Sequence, residues 1–265
     1  MKGKLIKTIF FSTWFILNSC ADSQQELISL KRPVKAQYIE HYEDYTLSEN
    51  SYPRFYEEYF YNDMNQLIEE RNIYENTPSE LSRLYTYNGD KLSQKKEYFE
   101  DVLLSSTTYE YKENNIVRSN IIQTNRLKPQ ELIEKTNHYF YDADSRLIKI
   151  ESSSGDFSHR TKKFEYLSDN MIKETSTDFR DVYILHELDT SKQHPFKNVS
   201  SYDSYLRTSI PLFKIISSKT FFTSNDKLKE EIKNEQTYSD DGLLIKNVSL
   251  HNNVGYKFET EYTYN

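Results

Sequence analysis

Residues 139–147 read Tyr139-Phe140-Tyr141-Asp142-Ala143-Asp144-Ser145-Arg146-Leu147. Two tyrosines one residue apart are followed by a polar run and then by an aliphatic. Aromatic residues favour strands, and Asp and Ser suit tight turns, so the stretch reads as a strand end, a turn and a strand start. The layout recurs. Aromatic-x-aromatic pairs stand at Tyr59/Tyr61, Tyr85/Tyr87, Tyr109/Tyr111, Phe164/Tyr166 and Tyr262/Tyr264, and Tyr238 is a one-sided version. The steps between second members are 26, 24, 30, 25, 72 and 26 residues. The long step is three short ones, so a period near 25 residues runs along the chain.

Each pair precedes a polar turn of four or five residues, such as Asn62 to Gln66, Asn88 to Lys91 or Ser239 to Gly242. Each turn leads into an aliphatic: Leu67, Leu92, Ile116, Leu147, Met171 or Leu243. Loops of that length join antiparallel neighbours, so each unit is a β-hairpin. Side chains two apart share a face, which sets Tyr109 and Tyr111 opposite Thr108 and Glu110. The predicted fold is therefore all-β, an antiparallel meander of about nine hairpin repeats of ~25 residues each. That is more strands than an open twisted sheet tolerates, so one strongly curved or closed sheet follows, with Tyr on its inner face. A transmembrane barrel would need an apolar outer band, and the positions opposite the tyrosines carry Glu110, Glu165 and Glu261.

The chain opens MKGKLIKTIFFSTWFILNSC. Lys2, Lys4 and Lys7 precede an apolar run from Ile9 to Leu17, the layout of an export signal too short to span a bilayer. Leu17-Asn18-Ser19-Cys20 then resembles a bacterial lipobox, and Cys20 is the sole cysteine of the chain. The expected organisation is a lipoprotein signal peptide at 1–19, a tether at 20–33 and a single β domain at 34–265. Cys20 is the expected lipidation site. Removal of residues 1–19 leaves 31 basic against 41 acidic residues, and no thiol for a disulfide once Cys20 is acylated.

The turn motif resembles the YD repeat of Rhs-type proteins, roughly Y-x-Y-D-x-x-G-R-L. Residues 139–147 are the best copy, with Ser145 where that family has Gly, and Tyr238-Ser239-Asp240-Asp241-Gly242-Leu243 keeps the glycine and loses the arginine. The resemblance covers about 55–175 and 235–265, and Lys192-Gln193-His194-Pro195-Phe196 is similar to an insertion in short lipoproteins of this kind from Bacteroidota. It implies a short lipoprotein of the cell envelope, and Ala21 after Cys20, where a retention aspartate would stand in enteric bacteria, makes outer-membrane attachment the expectation. The encapsulating role of long Rhs proteins does not follow, because the chain is too short to wrap a passenger domain. Residues 176–230 fit the period least well and are expected to form an irregular insert, with strands at 182–188, 214–223 and 228–237.

Composition narrows the function classes. The 265 residues include 23 Tyr and 15 Phe, 15% aromatic with Trp14, too many for a solvated disordered chain despite a mean hydropathy of −0.83. A net charge of −7 would repel phosphate, so no nucleic-acid partner is expected. The six histidines (41, 138, 159, 186, 194 and 251) show no ligand spacing, and there is no GxSxG elbow or glycine-rich phosphate loop. No catalytic residue, cofactor or metal site is expected. Asp142-x-Asp144 and Asp240-Asp241 sit at the turn position and read as turn chemistry rather than calcium ligands. The doublets Glu57-Glu58, Glu69-Glu70 and Glu230-Glu231 point to opposite faces of a strand and read as solvated. Off-pattern aromatics, for example Tyr202, Tyr205, Phe221 and Phe222, are candidate contact residues. The reading is a membrane-anchored, non-catalytic binding or structural module for a protein or glycan partner. The alternatives are an immunity lipoprotein that neutralises a toxin and an unrecognised glycan hydrolase, which would need carboxylates converging roughly 5–9 Å apart.

Overall fold

The computed structural model describes residues 33–42, 53–74, 80–125, 128–155, 158–191, 215–251 and 256–265. Sixteen strands follow one another: β1 (Pro33–Tyr42), β2 (Pro53–Tyr61), β3 (Leu67–Tyr74), β4 (Glu80–Asn88), β5 (Lys91–Phe99), β6 (Val102–Lys112), β7 (Asn115–Asn125) and β8 (Lys128–Tyr141). Then come β9 (Leu147–Ser154), β10 (Ser158–Ser168), β11 (Met171–Ser176), β12 (Val182–Leu188), β13 (Ile215–Phe222), β14 (Leu228–Tyr238), β15 (Leu244–His251) and β16 (Tyr256–Tyr264). Each pairs antiparallel with its neighbours in sequence, and β16 returns to β1, so the meander closes into a barrel. Sixteen strands make eight hairpins where about nine are expected. Between β12 and β13, residues 192–214 lie outside the described residues. The strands of the poorly repeating region, β12 to β14, take their places in the wall, so 176–230 is only in part an insert. Cys20, the signal and tether segments before Pro33, Tyr202, Tyr205 and 192–196 lie outside the described residues.

The repeat explains itself at the turns. In the best copy, the Asp142 carboxylate accepts the backbone N–H of Asp144 at 3.0 Å and of Arg146 at 2.9 Å. Its other oxygen receives Arg146 Nε at 2.8 Å, and the guanidinium lies 4.6 Å over the Tyr166 ring of the next hairpin. Asn62 caps its turn in the same way, through Met64 and Gln66. Ser145 stands at φ 59°, the left-handed conformation that glycine adopts without strain. Asp142 is therefore committed to turn geometry.

Just past each turn the register slips, between Phe60 and Tyr61, Thr86 and Tyr87, Glu110 and Tyr111, and Phe140 and Tyr141. The ladders between hairpins begin only beyond this point; β3 first meets β4 at Glu69 and Leu84. The carbonyl of the first aliphatic in each second strand thus lies outside the ladder, and a buried carbonyl needs a donor. The second tyrosine supplies it. Tyr87, Tyr111, Tyr141, Tyr166 and Tyr264 donate their hydroxyls to the carbonyls of Leu67, Leu92, Ile116, Leu147 and Leu244, at 2.7–3.1 Å. Tyr61 does the same for Pro33 at 2.6 Å. These tyrosines stitch one hairpin to the next.

The same aliphatics are the core. Leu67, Leu92, Ile116 and Ile172 are at most 1% exposed. One cluster joins Leu147, Phe164, Ile172, Leu188 and Ile215; another joins Ala36, Tyr59 and Leu67, with Tyr38, Tyr61, Tyr85 and Tyr262 packed against it. The tyrosines face inward, and their apolar layer lies at the turn end of the barrel.

Candidate functional site

Two residues before the first aromatic of each pair, the same alternation aims another side chain into the lumen. Here the inner wall turns polar. In β2 the residue is Glu57. Its Oε2 accepts the hydroxyls of Tyr38 at 2.7 Å and Tyr59 at 2.8 Å, while Oε1 lies 3.6 Å from Arg83 Nη1 on β4. Glu70 sits opposite Tyr59 on β3 and also reaches Arg83 Nη1, at 3.3 Å. Glu97 on β5 meets Arg83 Nε at 3.3 Å. Three carboxylates thus share one guanidinium. Glu57 and Glu70 both lie within 3.6 Å of one nitrogen. Burial, and then the Glu57 charge, raise the Glu70 carboxyl above its ordinary value against the pull of Arg83. Burial and the same charge hold the Tyr38 hydroxyl far above its ordinary range.

Across β10 to β13 the lumen is balanced differently. Lys162 precedes Phe164 by two, and Glu174 lies opposite Phe164. Glu174 receives Lys162 Nζ at 2.7 Å and faces His186 Nε2 at 3.1 Å, while His186 Nδ1 meets Ser218 at 2.8 Å. Burial works to raise the Glu174 carboxyl, but the hydrogen bonds from His186 and Lys162 bring it below its ordinary value. Between these charged arcs, β7 to β9 carry a neutral network of Ser119, Asn137, Tyr139 and Ser152.

The sequence reading of the acidic doublets needs correction here. Within each doublet the two side chains do part, as expected. Glu57 and Glu70, however, are the inward members of two different doublets, and their strands are neighbours. They meet at Arg83 and are not solvated; Glu70 is 9% exposed. The missed signal was available: Glu57, Arg83 and Lys162 all precede an inward aromatic by two.

The outer wall is also polar, and its aromatics carry cations. Lys35 lies 3.7 Å over Tyr56, Lys149 3.8 Å over Phe140, Arg71 4.8 Å over Phe60 and Lys173 4.6 Å over Tyr183. Ion pairs such as Arg118–Glu110, Arg71–Glu69 and Lys246–Glu261 cross the same face. Phe221 is part of it, stacked 5.3 Å from Tyr183. Phe222, opposite Val182 in the β12–β13 ladder, takes the other face, with Lys229 5.8 Å over its ring.

No family model matches the sequence, and no curated protein matches it. Solved structures do. A porin-like protein from Bacteroides uniformis superposes with a TM-score of 0.53 at 12% identity, over 88% of this chain and 96% of that one. A porin-like protein from Bacteroides vulgatus gives 0.51 at 12% identity, over 88% and 99%. At that identity the two share the closed meander fold with this chain. The TcdB2–TccC3 structure aligns with 81% of this chain and 13% of its own, at a TM-score of 0.28.

Proposed function

We propose that this chain is a non-catalytic envelope lipoprotein of the YD-repeat kind, held to a membrane by acyl chains on Cys20, whose barrel stands in water and offers its wall to a protein or glycan partner. The observation that carries this reading is the outer wall. An arginine or lysine facing lipid at mid-membrane costs about 2–4 kcal/mol, and a spanning barrel keeps an apolar band there. Here that wall holds Arg71, Lys149, Lys173 and Arg118 with their ring and carboxylate partners. The fold is shared with porin-like proteins, but the surface chemistry suits water, which leaves Cys20 to supply the membrane contact.

The lumen supports the non-catalytic part. Glu57 and Glu70 resemble an acid–base pair in number and closeness, but Tyr38, Tyr59 and Arg83 already take up the oxygens of Glu57. Glu70 is almost wholly covered and bound to Arg83, so it cannot reach a glycosidic oxygen. Fractionation of cells fed an alkyne fatty acid tests the proposal. The wild-type chain should carry label and need detergent for release, and Cys20→Ala should lose the label and appear in the soluble fraction. A Cys20→Ala chain that still needs detergent would overturn it.

A further inference from the structure

At the rim opposite the tyrosine layer, β11 to β14 and the turn at 177–181 enclose a cavity of about 180 Å³. One side is apolar, with Phe179, Val182 and Ile184; the other carries the hydroxyls of Ser176 and Thr220 and the carboxylate of Glu230. We propose that this cavity binds a small primary amine with an apolar body, about one aromatic ring on a short arm. The inference stands whether or not Cys20 is acylated.

Size sets the body. An apolar cavity of about 150 Å³ takes up benzene, so the volume here holds one ring and a short chain. Small-ligand sites combine an apolar wall with a few convergent polar groups, as this one does. The polar side sets the charge. Glu174 also lines the cavity, but both its oxygens are committed, to Lys162 and to His186. Glu230 is different: Oε1 faces His251 Nδ1 at 3.3 Å, and Oε2 has no partner among the described residues. Its side chain is 38% exposed, so the carboxylate reaches the opening. Thr220 lies directly opposite Glu230 in the β13–β14 ladder, so the two side chains share a face. An ammonium brings three donors and no acceptor, matching Glu230 and Thr220 as acceptors and the second lone pair of Ser176 Oγ, whose first takes the Asp178 N–H at 3.2 Å. Its apolar body covers Val182 and Ile184, and the exposed Phe179 ring flanks the entrance. Lys229, also of the lining, lies over the Phe222 ring.

Calorimetric titration of the purified full-length chain with phenethylamine is the test, with phenylacetate and ethanolamine as controls. Phenethylamine should bind with Kd of about 1 mM or tighter. Phenylacetate, of like shape and opposite charge, and ethanolamine, which lacks the ring, should each bind at least about tenfold more weakly. Glu230→Gln should weaken phenethylamine about tenfold, and Thr220→Val about threefold, with both variants melting as the wild type does. Ile184→Trp, which fills the space, should abolish binding. Absence of a phenethylamine signal, equal or tighter binding of phenylacetate, or a folded Glu230→Gln chain that binds as the wild type does would each overturn the proposal.

Discussion

Glu70 and Glu174 hold the same position in two hairpins, each opposite the first aromatic of its pair, yet their carboxyls are pushed in opposite directions. The scaffold around them is alike, down to the tyrosine clamps. What differs is the residue two before the aromatic, Glu57 in one hairpin and Lys162 in the other, together with the partner on the next strand, Arg83 or His186. One glutamate therefore faces a like charge, and the other faces the Lys162 ammonium and an imidazole. The repeat specifies backbone and core and leaves the layer above free to vary, so the individuality of this barrel resides in that layer.

The strongest way to break the comparison is to remove the cation from each arc. Arg83→Met leaves Glu57, Glu70 and Glu97 without their shared guanidinium and should cost about 2–3 kcal/mol, below the full buried-charge range because Arg83 keeps 24% exposure. Lys162→Met removes a side chain 44% exposed, and His186 remains against Glu174, so about 1 kcal/mol or less is expected. Urea unfolding at pH 7 measures both. A Lys162→Met loss as large as that of Arg83→Met would contradict the contrast between the arcs.

Neutralising the carboxylates should change stability with opposite signs. Glu174 contributes stability above the unfolded value near 4.5, and that contribution is lost as pH falls through its lowered folded value. Glu174→Gln should thus cost about 1–2 kcal/mol at pH 7 and flatten the acid limb of the stability profile. Glu70 is the reverse case. Its folded carboxyl holds a proton more tightly than the unfolded one, so its contribution is present below 4.5 and is lost as pH rises through its raised folded value. Glu70→Gln should leave stability at pH 4 nearly unchanged and add about 1 kcal/mol at pH 7. Melting temperatures of the two variants between pH 4 and 8 give the test, and shifts of the same sign at pH 7 would contradict it.

How much of this was legible in the sequence follows from what periodicity encodes. A two-residue alternation repeated every 25 residues encodes faces and neighbours, so the antiparallel meander, curved or closed, the inward tyrosines and the turn roles of Asp142 and Asn62 could be read directly. That it closes is settled by the pairing of β16 with β1. Meetings between repeats are not encoded that way. Glu57, Glu70 and Arg83 come from three strands, and treating each acidic doublet as a unit hid the one pairing that matters. Counting periods gave about nine hairpins, against the eight that sixteen strands make among the described residues. Nothing periodic marks the cavity at the rim, since Phe179 belongs to a turn and Glu230 to an irregular register between β13 and β14.

The smallest effect sharpens the comparison most, because it should show no difference between the two arcs. Tyr87 clamps the Leu67 carbonyl at 2.8 Å in the Glu70 arc, and Tyr166 clamps the Leu147 carbonyl at 3.1 Å in the Glu174 arc. If the second tyrosine belongs to the scaffold, the charges above it should not matter. Tyr87→Phe and Tyr166→Phe keep the ring and the core packing and remove only the donor. Each leaves a buried carbonyl without its donor, so a loss of about 1 kcal/mol is expected from both. Tyr238 is the internal control. Its hydroxyl goes to Gln236 Oε1 at 2.8 Å, while the orphan carbonyl of Ile215 is taken by Asn234 Nδ2 at 2.8 Å. Tyr238→Phe leaves the Ile215 carbonyl with its Asn234 donor and should cost less than the clamps, whereas Asn234→Ala should cost as much as they do. Equal losses at Tyr87, Tyr166 and Tyr238 would mean that the hydroxyls act through general polarity of the wall, and the stitching role would have to be given up.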